Sequence, residues 1–491
     1  MKTKTFASIS FLITMLLVSS CSQQSGEKVD TDKEPDKVEA TDYFKIGEDY
    51  KMYPGVKEDV VNGIYDSFDT FNNENWAIGN GFWGLNNGGV SKDNLYLSDD
   101  GELIFKANGL HYSKNDIKSS GAYKDGKKCG SCIISKFNAK PGHYEVMMKV
   151  LPRQGACTAF WTYANRAVEG QIENDNHEID IELPGGSKSG NITFKKALNT
   201  NWETEKANDS VEYSISDTNK DAPYVAYNDN EYHIFGFDWY TNPECVVYYC
   251  DGKITNVSNL FVPTLEGKLW LGVWLPNGFT GVANFESDFM YVDYVKYNPF
   301  KAQPYIEYDA PISVTTAETK VKMISKKTAN KISNGDFEYA KACEGEDKFN
   351  NLKNMGWEFI KKFSESKPES EVCNIYKGIG TSDGDKYAAK ITDGGVLRQY
   401  IDSVYDNYEY DFSFDAKALV ANDQNSFARI NFLNVGDESL KEEKVVITNV
   451  GEFQKYTKTV KAPKGTEKLR VEVRTSGGNS VIIDNVKLEQ K

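Results

Sequence analysis

The 491-residue chain has little histidine, only four residues, and no excess of positive charge, since 72 Asp and Glu against 57 Lys and Arg give a formal net charge of −15. A Ser-His-Asp triad requires a histidine, and with only four histidines such a hydrolase is not expected. The sequence also shows no phosphate-binding loop and no internal repeat. An acidic protein repels polyanions at long range. We therefore expect neither a nucleic acid nor a highly sulfated glycan as a partner.

The eight cysteines form no recognisable metal or disulfide pattern. Cys129 and Cys132 have the CxxC spacing, but no second CxxC follows and too few histidines lie nearby for a zinc site. Cys245 and Cys250 would be able to pair across a hairpin in an exported protein. We predict no particular pairing.

A hydrophobic run long enough to span a bilayer is also missing. The apolar stretch at residues 6–18 follows Lys2 and Lys4 and is too short to span, so residues 1–20 are predicted to be a signal peptide. The four residues ending at Cys21 resemble a bacterial lipobox, which implies that Cys21 is lipidated, with an ordinary secretory peptide as the alternative. Residues 21–45 are polar and are predicted to be a flexible tether. We expect an exported lipoprotein of the outer membrane, displayed at the cell surface or facing the periplasm.

The most informative pattern is the run of three acids, Glu178, Asp180 and Glu182, with Ile179 and Ile181 between them. In a β-strand, residues i, i+2 and i+4 share one face, so the acids are predicted to face one way and the isoleucines a core. Crowded carboxylates repel one another, which raises at least one pKa. A solvated edge strand with no function is the alternative.

Two carboxylates at a controlled separation are what glycoside hydrolysis requires. One protonates the leaving oxygen, and the other attacks the sugar carbon or activates water. The Cα atoms of Glu178 and Glu182 are expected to lie roughly 13 Å apart, and leaning side chains bring the carboxyl groups within reach of the spacing of about 5 Å that is typical of retaining enzymes. Asp180 would lie between them and hydrogen-bond the nucleophile.

Several other segments make the chain resemble glycoside hydrolase family 16 over roughly residues 60–300. These segments are residues 68–69 with Trp76, 130–136, 143–149, 159–163, 232–239 and 247–253. The resemblance implies an all-β fold, a concanavalin-like β-jelly-roll sandwich with a cleft for a β-linked polysaccharide. It also implies that Glu178 is the nucleophile, Glu182 the acid/base and Asp180 the assisting acid, with no cofactor for catalysis.

The acidic motif is the uninterrupted form, with one residue between Asp180 and Glu182, which is similar to the lichenase branch of the family. The chain departs from that branch on both sides of the acidic motif. Residues 183–186 follow the motif where an aromatic residue is usual, and Asn176 and His177 precede it. The expected substrate is therefore a neutral β-1,3-glucan, a mixed β-1,3/1,4-glucan or a β-1,3-galactan.

Aromatic residues make up 13% of the chain, and sugar rings stack on Trp and Tyr. Trp161 and Trp274 are predicted to line the cleft, with a place in the core as the alternative. Trp239 lies in an alternating strand and is predicted to be in the core. His177 is predicted to contact a substrate hydroxyl or to support its neighbours.

Three further segments complete the predicted organisation: a catalytic unit at residues 46–300, a linker at 301–330 and a second β-sandwich at 331–491. Residues 334–338, 356–357 and 481–486 make the last unit resemble a carbohydrate-binding module of family 4 or 22. In such modules a calcium ion often ties the chain ends, and Glu338 and Asp484 are the candidate ligands, or else ordinary turn acids. A structural sandwich that packs on the enzyme is the alternative to a glycan-binding module.

The sequence thus predicts a monomeric, retaining endo-β-glycanase that acts on a polysaccharide and is attached to a membrane by its lipid. A non-catalytic surface glycan-binding protein and a transglycosylase are the alternatives. A binding protein has no need of three mutually repelling carboxylates, which favours the enzyme.

Overall fold

The computed structural model describes residues 40–491 except 82–88, 113–127, 173, 186–195, 205–207, 215–228, 277–278, 319, 327–328, 340–355, 362–372, 382–386, 393, 421–425, 435 and 476–477. The predicted signal peptide, Cys21 and Cys343 lie outside the described residues. The last part of the predicted tether does not: Ala40–Tyr43 form a short helix, α1, and Ala40 and Phe44 are buried. No helix in the described ranges is long and apolar enough to cross a membrane.

The first β-sandwich contains fifteen strands within the described residues. They are β1 Ile64–Asp66, β2 Trp76–Gly79, β3 Leu95–Ser98, β4 Leu103–Asn108, β5 Ser131–Ser135, β6 Gly142–Lys149, β7 Cys157–Arg166, β8 Asp175–Pro184, β9 Lys196–Trp202, β10 Asn208–Ser214, β11 His233–Thr241, β12 Glu244–Cys250, β13 Lys253–Ser258, β14 Lys268–Trp274 and β15 Ser287–Pro299. A 3₁₀ turn at Lys92–Asn94 precedes β3 and is capped by the Ser91 side chain.

These strands form two sheets that pack face to face. One sheet has the order β13-β12-β11-β6-β15-β4-β3, with β1 paired to β15, and the other has the order β10-β9-β8-β7-β14-β5-β2. Alternate residues of each strand enter the core between them, for example Tyr144 and Val146 from β6 against Phe160 from β7. The all-β sandwich predicted from the sequence is confirmed.

The segment predicted to be a linker, residues 301–330, is built into both sheets. Strand β16, Thr316–Ala317, pairs with β2 and extends the second sheet, and β17, Lys322–Ile324, pairs with β3 in parallel and extends the first. Both strands lie at sheet edges and are only two and three residues long, so they show no alternation from which they could have been predicted.

A second β-sandwich follows, as predicted. Its strands are β18 Glu358–Lys361, β19 Cys373–Lys377, β20 Tyr387–Thr392, β21 Gly395–Ile401, β22 Glu409–Ala418, β23 Phe427–Leu433, β24 Ser439–Val446, β25 Gln454–Lys461, β26 Lys468–Arg474 and β27 Ser480–Gln490. The sheet orders are β18-β21-β26-β23-β24 and β19-β20-β27-β22-β25, and the apolar core between them includes Trp357, Phe412 and Val471.

Buried polar contacts join the two sandwiches. Asp288 on β15 accepts a hydrogen bond from Arg153 Nε at 2.6 Å and lies 3.3 Å from Lys331 Nζ. The Arg153 guanidinium also donates to the backbone oxygens of Lys331 and Asn330. The side chains of Asp288, Arg153 and Lys331 are all buried. Separating the two sandwiches would leave these charges without their partners, so the contacts hold the sandwiches together.

Candidate active site

The three acids of the sequence motif lie on β8, near the middle of the second sheet. Ile179 and Ile181 are buried in the core between the sheets, as the alternation predicted. Glu178, Asp180 and Glu182 have the opposite parity and point to the outer side, which we call the acid face of this sheet.

Aromatic side chains line the acid face beside β8. Directly opposed residues of antiparallel neighbours share a face, and on β7 Tyr163 lies opposite Glu178 while Trp161 lies opposite Asp180. On β14, Trp270 is next in the same row, and its ring stacks on Trp161 with centroids 5.4 Å apart. Both tryptophans therefore lie on the floor of the acid face.

The other neighbour of β8 holds the central acid in place. Trp202 at the end of β9 lies opposite Glu178 and donates from its indole Nε1 to Asp180 Oδ2 at 2.9 Å. This bond favours the ionised form of Asp180 and fixes one of its two oxygens.

A chain of amides leads to Glu178. Asn176 Nδ2 donates to Glu178 Oε2 at 3.0 Å, and the oxygen of Asn176 accepts from Asn165 Nδ2 at 3.2 Å. Asn165 in turn accepts from Asn174 Nδ2 at 2.8 Å. Each amide orients the next, so that Asn176 presents a donor and not an acceptor to the carboxylate.

The pKa values of the three acids are all raised, with burial as the largest cause. Burial and the charge of Glu178 raise the pKa of Glu182 to about 8. Burial raises the pKa of Glu178 to about 7, against hydrogen bonds from Asn176 and Asp180 that lower it. Burial and the charges of both glutamates raise the pKa of Asp180 well above its usual range, which favours Asp180 as the donor of its hydrogen bond to Glu178.

This arrangement provides two carboxyl groups in different states on one face. Hydrogen bonds from Asn176 and Asp180 favour the ionised form of Glu178, whereas burial and the charge of Glu178 favour the protonated form of Glu182. A pair of titratable groups whose environments differ in this way is typical of acid and nucleophile assignments in glycosidases.

The structure brings two of the three predicted substrate-binding residues to the acids. Trp161 is on the acid face, and so is Trp274. Trp274 lies opposite Cys157, which lies opposite Pro184, two residues after Glu182 on the same side of β8. His177 is not brought to the acids, because adjacent residues of a strand point to opposite faces. Its Nδ1 accepts from the backbone N–H of Thr264 at 3.1 Å, and burial lowers its pKa to about 4.

The sequence reasoning missed Trp202 and Trp270. Trp202 lies at a strand end beyond residues 186–195, and only the β8–β9 register places it beside Asp180. The alternation of β14 offered a signal for Trp270, since it is four residues before Trp274 and shares its face. Trp239 lies in the core, and its indole donates to the backbone oxygen of Pro263.

The predicted calcium ligands are engaged by donors of the protein. Asp484 accepts from the backbone and hydroxyl of Thr381 and from the Asn485 backbone, and Glu338 accepts from the Tyr387 backbone. Over the described ranges no group of three or more His, Cys, Asp and Glu residues is arranged to hold a metal ion. The six described cysteines are free thiols, Cys245 and Cys250 included.

Comparison with known proteins finds a family match for the segment that carries the acid face. Residues 91–264 match the family described as Glycosyl hydrolases family 16. A β-glucanase of Bacillus subtilis is 26% identical over 246 residues, which is 47% of this chain and 86% of that protein. A β-glucanase of Bacillus amyloliquefaciens is 26% identical over 225 residues, 45% of this chain and 77% of that protein.

Among solved structures, the laminarinase catalytic domain from Thermotoga maritima matches 50% of this chain and 98% of its own, at 18% identity and a TM-score of 0.38. A β-glucanase of Bacillus licheniformis matches 48% of this chain and 97% of its own, at 20% identity and a TM-score of 0.36. On the family match and the β-glucanase relatives, the chain contains a family 16 glycoside hydrolase domain and is a glycoside hydrolase.

Proposed function

We propose that the protein is a retaining, endo-acting β-glycan hydrolase with Glu178 as nucleophile, Glu182 as acid/base and Asp180 as the assisting acid. The observation that carries the proposal is the acid face of β8, where three carboxyl groups of raised pKa lie in one row beside Trp161 and Trp202. The β-glucanase relatives support a β-glucan as the substrate, and within that class we propose a β-1,3-glucan or a mixed β-1,3/1,4-glucan. A β-1,3-galactan is the second candidate because Asn176 and residues 183–186 depart from the lichenase pattern.

In the first step, a Glu178 oxygen forms a bond to the anomeric carbon while the bond from that carbon to the leaving oxygen breaks. The proton of Glu182 passes to the leaving oxygen. In the second step, Glu182 is ionised and takes a proton from water, whose oxygen attacks the anomeric carbon and releases Glu178. A sugar hydroxyl in place of that water would give transglycosylation with the same residues.

Asp180 and Asn176 act on Glu178 through hydrogen bonds. The Asp180 proton points to Glu178 and lowers its pKa, and Asn176 donates to the same carboxyl group. Both bonds stabilise the carboxylate before attack, and both hold it in one orientation. Trp161 lies beside them on the acid face, where the 5% of its surface that is exposed can contact a bound sugar.

The test is to incubate the protein without residues 1–21 with mixed-linkage β-glucan, laminarin and a debranched β-1,3-galactan, and to size the products by chromatography. Oligosaccharides from one of these glycans support the proposal and identify the backbone. Glu178→Gln is the control, and it is expected to abolish turnover while glycan binding in affinity gels persists. Retention on a glycan without products from the wild type would instead favour a surface glycan-binding protein.

We also propose that the chain is a lipoprotein of the outer membrane, anchored through Cys21, and that the second sandwich binds glycan. Metabolic labelling with a radioactive fatty acid, compared between the wild type and Cys21→Ala, tests the anchor. Calcium at Glu338 and Asp484 stays a prediction. A calcium-dependent rise in melting temperature that Glu338→Gln abolishes would support it, and the contacts to Thr381 and Tyr387 argue for a structural role without the ion.

A further inference from the structure

Residues 306–317 cross the acid face on the side of β8 that carries β7, β14, β5 and β2. At one end, Ile306 forms a parallel bridge with Leu265, and its backbone N–H donates to Thr264 O at 2.7 Å. At the other end, the Asn80 N–H donates to Thr315 O at 2.7 Å, and β16 pairs with β2. We call this segment the strap.

Side chains and backbone groups fasten the strap between these ends. The Tyr308 backbone N–H donates to Glu266 Oε1 at 2.9 Å, and its hydroxyl donates to the backbone oxygen of Asn165 at 3.2 Å. Asn138 Nδ2 donates to Tyr308 O at 3.2 Å. The strap is therefore bonded to the ends of β7, β5 and β14 and is part of the fold.

Side chains of the strap alternate between the sheet and the solvent. Ala310 and Val314 are buried and Ile312 is half-buried, whereas Pro311 and Ser313 are exposed. Ile312 and Val314 belong to the apolar cluster on the acid face that also contains Trp161 and Trp270, together with Val90, Cys132, Ile134 and Ala159. The inward side chains of the strap thus occupy space above the sheet.

Trp270 shows the effect of this cover. It lies on the same face as the acids, two strands from β8, where a tryptophan on the floor of an open cleft would be exposed. Only 1% of its surface is exposed, and among the described residues the cluster that covers it includes Ile312 and Val314. Trp161, one strand nearer the acids, is 5% exposed.

We propose that the strap ends the substrate cleft on this side, and that Ile312 and Val314 set the number of sugar subsites there. Neighbouring strands are about 4.8 Å apart, and the strap already packs with residues of β7, so the open floor beside β8 is roughly 5 to 10 Å long before the strap is reached. A bound glycan must leave the sheet at the strap, so sugars beyond that point make no contact with the sheet. This inference rests on the proposed function and deepens it, because it assigns specificity-determining residues to the same site.

The experiment measures kcat/KM for a series of defined oligosaccharides of the glycan that the protein cleaves, labelled at the reducing end so that the cleaved bond is known. For the wild type, kcat/KM is expected to stop rising with chain length after a few sugars on one side of the cleaved bond. In Ile312→Gly/Val314→Gly, one added sugar on that side is expected to raise kcat/KM at least threefold. Acrylamide quenching of tryptophan fluorescence should increase in the same variant as Trp161 and Trp270 become accessible.

Ser313→Gly is the control for backbone freedom, because it also introduces a glycine into the strap while the lost side chain faces solvent. Ile312→Ala is the milder variant that decides the question if the double variant does not fold. A folded variant with the chain-length profile of the wild type and of Ser313→Gly would overturn the inference. Failure of the proposed function would appear differently, as an absence of cleavage by the wild type.

Discussion

The indole N–H of Trp202 lies 2.9 Å from Oδ2 of Asp180, across the junction of β9 and β8. Asp180 also forms a hydrogen bond to Glu178, in which Glu178 is the acceptor. Asp180 therefore stands between a donor that holds its carboxyl group in position and a glutamate that it keeps ionised. The orientation of the proposed nucleophile depends on a residue that lies on a different strand.

Trp202→Phe should weaken catalysis while leaving the fold intact. The ring is retained, but the hydrogen bond to the protonated Asp180 is lost, and a bond between neutral groups contributes about 0.5–1.5 kcal/mol. We expect kcat to fall by about two- to tenfold, with a smaller change in KM. Steady-state kinetics on the cleaved glycan check this, and an unchanged kcat in a folded variant would show that Trp202 does not position Asp180.

The acid row itself was predictable from the sequence because strand parity is local: Glu178, Asp180 and Glu182 share a face whatever their neighbours are. The same rule argued against grouping His177 with them, since it is adjacent to Glu178. Trp202 was not predictable, because its position depends on the register between two strands, and the Gly- and Ser-rich sequence that joins them does not fix where the second strand begins. Which strand neighbours which is a property of the whole sheet.

The strap was missed for a related reason. Pro311, the nearby Pro304 and the Thr/Lys-rich continuation are typical of a linker, and Ile312 and Val314 are too few to indicate a strand. Its order comes from contacts with Asn80, Asn165 and Glu266, which lie about 40 to 240 residues away in the chain. The two sandwiches were predicted better, because alternation in strands such as β22 extends over ten residues.

Asn176→Ala should shift the acidic limb of the pH–activity profile to higher pH. The Asn176 amide stabilises the carboxylate of Glu178 at 3.0 Å, so its loss raises the pKa of Glu178 above about 7. Activity then requires a higher pH for ionisation of the nucleophile. The measurement is kcat/KM between pH 4 and pH 10. Asn174→Ala is the control expected to shift the limb less, because Asn174 reaches Asn176 only through two hydrogen bonds, by way of Asn165.

Glu182→Gln should remove the alkaline limb of the pH–activity profile when the substrate has a leaving group that needs no protonation. With the natural glycan this variant is expected to lose at least about 10²-fold in kcat, because general acid catalysis is absent. With an activated aryl glycoside of the same sugar, glycosyl transfer to Glu178 needs no acid, and the fall in rate near pH 8 should disappear with the group that titrates there. A retained alkaline limb would assign that titration to another residue.

The same variant should change how stability depends on pH. The pKa of Glu182 is raised on folding to about 8, so the native protein binds more protons than the unfolded chain between the two pKa values, and stability falls as pH rises through that range. Glu182→Gln removes this loss. Its melting temperature, relative to the wild type, should be higher at pH 9 than at pH 4, as thermal denaturation at both values would show.

Asp288→Asn should be strongly destabilising, because it leaves Arg153 and Lys331 buried without their shared carboxylate. Breaking a buried ion pair by removing one partner costs about 3–5 kcal/mol. The charges of Lys331 and Arg153 lower the pKa of Asp288, so its contribution to stability is present above the unfolded pKa and is lost as pH falls through the lower folded value. Glu358→Gln, which breaks the partly exposed pair with Arg398, is the control expected to cost about 1 kcal/mol or less. Urea denaturation at pH 7 compares the two variants, and equal losses of unfolding free energy would show that the buried charges do not hold the sandwiches together.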